Sequence, residues 1–89
     1  MINLQWQPVD SDQTEFISSI TIDGLGEINF NIVHDLSDGF DLCIDSFADF
    51  YYEGVFGSLK AAQFFAVEYT EKALRRLQYN ISCALGDNK

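Results

Sequence analysis

Leu36-Ser37-Asp38-Gly39-Phe40-Asp41-Leu42-Cys43-Ile44-Asp45-Ser46-Phe47-Ala48-Asp49-Phe50-Tyr51 is the stretch on which the architecture turns. Leu36, Phe40, Cys43, Ile44, Phe47, Phe50 and Tyr51 recur at steps of three and four, the spacing of one helix face. Phe40, Leu42 and Ile44 also alternate with Asp41, Cys43 and Asp45, the spacing of a strand with one dry and one wet side. Gly39 near the start, few strong helix formers, and many β-branched or aromatic residues in the window favour the strand. The reading is a strand over Phe40, Leu42 and Ile44, entered from a turn-rich patch at Asp35 to Gly39.

Working outward, Phe16 to Ile22 alternates as a strand, and Ile28, Phe30 and Ile32 alternate against Asn29 and Asn31 as a second. Asp23, Gly24, Leu25 and Gly26 between them suit a turn, so the pair forms a hairpin. Phe50 to Phe56, rich in Tyr and Phe, is a fourth strand ended by Gly57 and Ser58. From Leu59 to Leu85 there is no Pro or Gly; Ser58 supplies an N-cap and Gly86 a stop. Leu4 and Trp6 before Pro8 form either a short extra strand or a packing arm. The expected fold is a single α+β domain over residues 1–89. It has an N-terminal arm (1–13), a four-stranded mostly antiparallel sheet (14–57) and one long C-terminal helix on one face (58–86).

A helix of that length spans about 40 Å against roughly 20 Å for a six-residue strand, so part of it overhangs the sheet. Ala62, Phe65, Ala66, Tyr69 and Ala73 share one stripe; Leu74, Leu77, Ile81 and Leu85 define another, rotated by about 100°. The second stripe needs cover from the amino-terminal arm, from a bend in the helix, or from a second copy of the chain. Self-association as a homodimer through Leu74, Leu77, Ile81 and Leu85 is one expectation; cover by residues 1–9 is the other.

Charge is the other strong feature. The 89 residues carry 14 Asp and Glu against 5 Lys and Arg, a net charge of −9. Residues 1–57 hold eleven of those acids and no base, whereas residues 58–89 hold all five bases and three acids. Such a balance opposes direct capture of nucleic acid. The apolar fraction, 47%, opposes a disordered acidic tail. Asp38, Asp41, Asp45, Asp49 and Glu53 come at near-regular steps. If Phe40, Leu42 and Ile44 face the helix, Asp41 and Asp45 face water beside Glu53, with Asn29 and Asn31 as polar neighbours. Like charges on adjacent strands are destabilising. Their collection on one face therefore points to a cationic partner, although an acidic surface also serves solubility. Tyr51 and Tyr52 add anchoring area, with at least one of them packing against neighbouring strands instead.

Signals of reaction chemistry are sparse. His34 beside Asp35 is an imidazole and carboxylate pair without an accompanying nucleophile pattern. Gly24-Leu25-Gly26 lacks the length and the Lys of a phosphate-binding loop. Asp35 to Asp41 lacks the ligand order and terminal Glu of a calcium loop. Cys43 and Cys83 have neither Cys-x-x-Cys nor His partner spacing, and Asn80-Ile81-Ser82 falls in a helix. No enzyme activity, cofactor or metal is expected. No secretory leader or membrane span is recognised, and a cytoplasmic protein is expected.

Strands followed by Gly57-Ser58-Leu59-Lys60-Ala61-Ala62 at a helix start resemble small phage and prophage proteins, including the anti-CRISPR and anti-restriction inhibitors. The order of elements over residues 14–80 also looks like the sheet-plus-helix half of HicB-type antitoxins, without the Pro-rich loop that family carries before its third strand. The first resemblance implies an acidic body that blocks the nucleic-acid-binding surface of a defence complex. The second implies neutralisation of a small RNA-cleaving toxin. Either way, Asp38, Asp41, Asp45, Asp49 and Glu53, with Tyr51, are the residues expected to meet Lys and Arg of a basic nucleic-acid-binding host protein, in competition with DNA or RNA. A self-associating structural or accessory phage protein is the alternative.

Overall fold

The computed structural model describes residues 2–35, 37, 39–47 and 51–86. Five strands, β1 (Gln7–Pro8), β2 (Glu15–Ile22), β3 (Gly26–Asp35), β4 (Gly39–Ser46) and β5 (Tyr52–Phe56), precede one helix, α1 (Leu59–Leu85). The strands form an antiparallel meander in the order β1-β2-β3-β4-β5. The strand reading of residues 40–45 holds, because the period of two buries Leu42 and Ile44 while Asp45 stays exposed.

The sheet has one more strand than expected. Gln7 and Pro8 pair with Ile17 and Phe16 at the edge, where the missing N–H of Pro8 costs no ladder bond. Asp10 closes the link to β2 by accepting from the Thr14 amide at 2.9 Å and from the Thr14 hydroxyl. Those bonds hold its carboxyl below the usual range. The β2–β3 turn is tightened by Leu25 N–H donating to Ile22 O at 2.9 Å, with Gly24 at φ +83°, a region that an L side chain resists.

Helix ends fall where the sequence puts them. Ser58, extended at φ −148°, accepts from Ala61 N–H through its hydroxyl, and Gly86 takes the left-handed conformation at φ 78° with its N–H on Cys83 O. On the inner face, Ile28, Phe30, Ile32, Leu42 and Ile44 meet Ala62 and Ala66 of α1. Small residues at those helix positions let the backbone approach the sheet, and each buried Ile or Leu contributes about 1.5–3 kcal/mol. Over β5 the packing is aromatic: Tyr52, Phe56, Phe65 and Tyr69 form a cluster with ring centroids 4.5–6.3 Å apart.

The arm before β1 lies beside the helix over the same inner face. Leu4 is buried in the core, Trp6 meets the Phe30 ring edge-on at 6.0 Å, and Ile2 N–H donates to Glu71 Oε2 at 2.8 Å. This placement corrects one expectation: the arm seals the sheet next to the middle of α1. Leu74, Leu77 and Ile81 are instead approached by Ile22 and Leu25 of the β2–β3 hairpin. The overhang is also shorter than anticipated, because β3 runs ten residues, about 33 Å, against about 40 Å for the helix. Even so, Leu85 is 71% exposed and the molecule is 53 Å along its longest axis.

Candidate functional site

Strand alternation that drives Leu42 and Ile44 inward drives the acids outward. Across the sheet, Glu15, Val33, Asp41 and Val55 stand in one row of facing residues, and Gln7, Ile17, Asn31, Cys43 and Glu53 in the next. Ser19, Asn29 and Asp45 form a third row, beyond which Thr21 faces Glu27. Asp41, Glu53, Asp45 and Glu27 therefore lie on a zigzag in which each step crosses one strand and advances two residues, about 8 Å. At that separation a pair of unit charges repels by about 0.5 kcal/mol in water before salt screening. The five strands contain no Lys or Arg to offset it. Asp38 and Asp49, expected to extend this line, lie outside the described residues.

Hydrogen bonds fix parts of the face. Asn31 Nδ2 donates to Glu15 Oε2 at 2.6 Å. Tyr51 donates its hydroxyl to Glu53 Oε1 at 3.2 Å and accepts from Cys43 Sγ at 3.7 Å, while its carbonyl accepts from the Tyr69 hydroxyl at 3.1 Å. The bond with Cys43, the Cys43 charge and the Glu53 carboxylate together push the Tyr51 phenol up to about 12. Tyr51 and Tyr52 divide between the two sides of the sheet: Tyr52 packs inward on Phe65 and Tyr69 of α1 rather than against neighbouring strands, and Tyr51 is 55% exposed on the acidic side.

Two features of this face were not anticipated. Glu15 and Glu27 join it. The signal for Glu15 lies in the sequence, since it is in phase with Ile17, Ser19 and Thr21 once β2 is extended by one residue. Beside the acids, Gln5, Gln7, Ser19, Asn29 and Asn31 line a half-open depression of about 500 Å³ that reaches from β1 to Cys43 and Asp45 on β4. Ile17, Val33 and Val55 are exposed among the polar groups and supply apolar contact area.

The remaining sequence candidates lie elsewhere. His34 stacks on Phe40 at 4.2 Å with the rings 5° from parallel, and Asp35 accepts from the amide and hydroxyl of Ser37 in the β3–β4 turn. The two side chains leave β3 on opposite faces and do not form an imidazole and carboxylate pair. Cys83 is exposed on α1, away from Cys43 on β4. Leu74 and Leu77 are half-buried, Ile81 and Leu85 exposed. Among the described residues no helix is long and apolar enough to cross a membrane. No protein-family model, curated protein or solved structure matches the chain.

Proposed function

We propose that this chain is a binding protein whose outer sheet face docks on the Lys- and Arg-rich surface of a nucleic-acid-binding protein and occupies the place of DNA or RNA. Such a protein acts as an inhibitor of the phage anti-defence kind rather than as an enzyme. The observation that supports it most is the line of Asp41, Glu53, Asp45 and Glu27 on a face made of strands without a single base. Carboxylates at steps of about 8 Å give a repeating anionic row that basic side chains made to grip a phosphate backbone can engage. Ile17, Val33, Val55 and Tyr51 give the same face the apolar and aromatic area that specific interfaces need in addition to charge.

The test is salt-graded capture of host proteins on the wild-type chain and on a triple variant, Asp41→Asn, Asp45→Asn and Glu53→Gln. The expected result is a basic nucleic-acid-binding protein that is retained at low salt, displaced by added DNA or RNA, and lost with the triple variant. Retention of the same partner by the triple variant, or a partner that still binds its nucleic acid with unchanged affinity in the complex, overturns the reading.

A further inference from the structure

We propose that the last three turns of α1 form a self-association surface, on which a second copy of the chain docks antiparallel about a two-fold axis beside residues 79–80. Each copy then places Ile81 against Leu77 of the other, and Leu85 against Leu74 and Leu25. The hole is a groove of about 320 Å³ between α1 and the β2–β3 hairpin, lined by Ile22, Leu25, Leu74, Leu77 and Ile81 with Gln78 and Ser82 at its polar edge. The knobs lie on the same stripe: Ile81, 41% exposed, at the rim of the groove, and Leu85, 71% exposed, one turn past it. Hole and knob belong to one molecule and lie along one helix line. That is the condition for an isologous contact, in which residue i meets j and j meets i.

Charge selects a second copy over other apolar occupants. Residues 72–85 contain no Asp or Glu, and on the hairpin wall only Asp23, between Ile22 and Leu25, is acidic, so two chains of net charge −9 can meet here with few carboxylates opposed. On a helix of 3.6 residues per turn, the four apolar side chains fall within an arc of about 80°, and Lys72, Arg75 and Arg76 point at least about 80° outside it, which leaves the seam uncharged. The exposed patch is small: Leu25, Ile81 and Leu85 are 48%, 41% and 71% exposed, with Leu74 and Leu77 half-buried behind them. An interface built from so few side chains falls below the roughly 1,000 Å² of a stable one, and the dimer is accordingly weak.

Sedimentation equilibrium of the full chain up to about 1 mM tests this. The wild-type chain is expected to pass from monomer to dimer, and Leu85→Glu and Leu25→Lys each to weaken the dimer tenfold or more; both residues are exposed, so the fold is retained. An equimolar mixture of those two variants is expected to regain association, because the mixed pair has one Glu–Lys contact and one intact apolar contact. A wild-type chain that stays monomeric overturns the proposal. So does a dimer untouched by Leu85→Glu, a mixture no more associated than its components, or growth beyond the dimer. Rising salt is expected to leave the dimer intact or strengthen it, whereas a complex on the acidic sheet face dissolves in salt. The two surfaces therefore fail or succeed independently.

Discussion

The Tyr51 hydroxyl donates to Glu53 Oε1 across 3.2 Å on the outer side of the sheet, while Cys43 on the neighbouring strand faces Glu53 and offers its thiol to the same oxygen of Tyr51. One phenol thus ties β4 to the acidic end of β5. Loss of its proton is opposed first by Cys43, through their hydrogen bond and its charge, and then by the negative charge of Glu53, which together push the group up to about 12. In an absorbance titration, a late tyrosine step is expected at about pH 12, and Tyr51→Phe is expected to remove it. The native chain binds this proton more tightly than the unfolded chain does. Its contribution to stability is therefore whole below pH ~10 and lost as the pH rises through about 12. Cys43→Ala is expected to bring the late step down; a titration unchanged in that variant refutes the assignment.

Crowded carboxylates make a second prediction, of opposite sign to the usual effect of removing surface polar groups. Asp45→Asn and Glu53→Gln are each expected to stabilise the fold by a few tenths of a kcal/mol at low salt, since each removes repulsion without breaking an ion pair with a basic strand residue. Near 0.15 M salt the screening length is about 8 Å, so the gain shrinks and the wild-type chain itself becomes more stable as salt is added. Urea midpoints at two ionic strengths measure both effects. Loss of stability in both variants would mean that the face is held together by its acids.

Thr70 offers a third. It is fully buried on α1 between the sheet-facing Ala66 and Leu74, and its hydroxyl has no hydrogen-bond partner among the described residues. An unsatisfied buried hydroxyl costs about 1–3 kcal/mol, so Thr70→Val, which keeps the shape and removes the oxygen, is expected to stabilise by about 1 kcal/mol. For a domain of this size, that raises the melting temperature by roughly 4–8 °C. Thr70→Ser, which keeps the hydroxyl and deletes a methyl, is expected to lower it. Equal melting temperatures for Val and Thr would show that water satisfies the group.

What the sequence discloses follows from how local each signal is. Ser58 and Gly86 act within one turn of the helix ends, and the α1 bounds they imply are the observed ones. Ile28, Phe30 and Ile32 announce β3 by alternation alone, and Asp41, Asp45 and Glu53 reach one face because the same period fixes them. Gln7 and Pro8 give no such notice: two residues cannot show a period, and their pairing depends on β2 already being in place. The cover of Leu74 and Leu77 was equally hidden. It is set by the hairpin at Ile22 and Leu25, which forms one wall of a groove whose other wall is the helix some fifty residues further along the chain. The second stripe was legible as a demand for cover; the part that the hairpin plays in it was not.

The arm gives the last prediction. Ile2 is tied to Glu71, Leu4 is 9% exposed, and Trp6, the single tryptophan, sits on Phe30. Leu4→Ala removes a core side chain and is expected to cost about 2–3 kcal/mol, far more than an unanchored chain end would show. Glu71→Ala, which leaves the Ile2 amide without its carboxylate acceptor, is expected to cost about 1 kcal/mol, and Glu71→Gln, which keeps an acceptor oxygen, less. Because the arm completes the one core, Trp6 fluorescence and far-ultraviolet circular dichroism should report coincident unfolding transitions in urea. If the fluorescence change precedes the dichroism change in the wild-type chain, the arm opens on its own. Leu4→Ala would then lower the early transition and leave the main one in place.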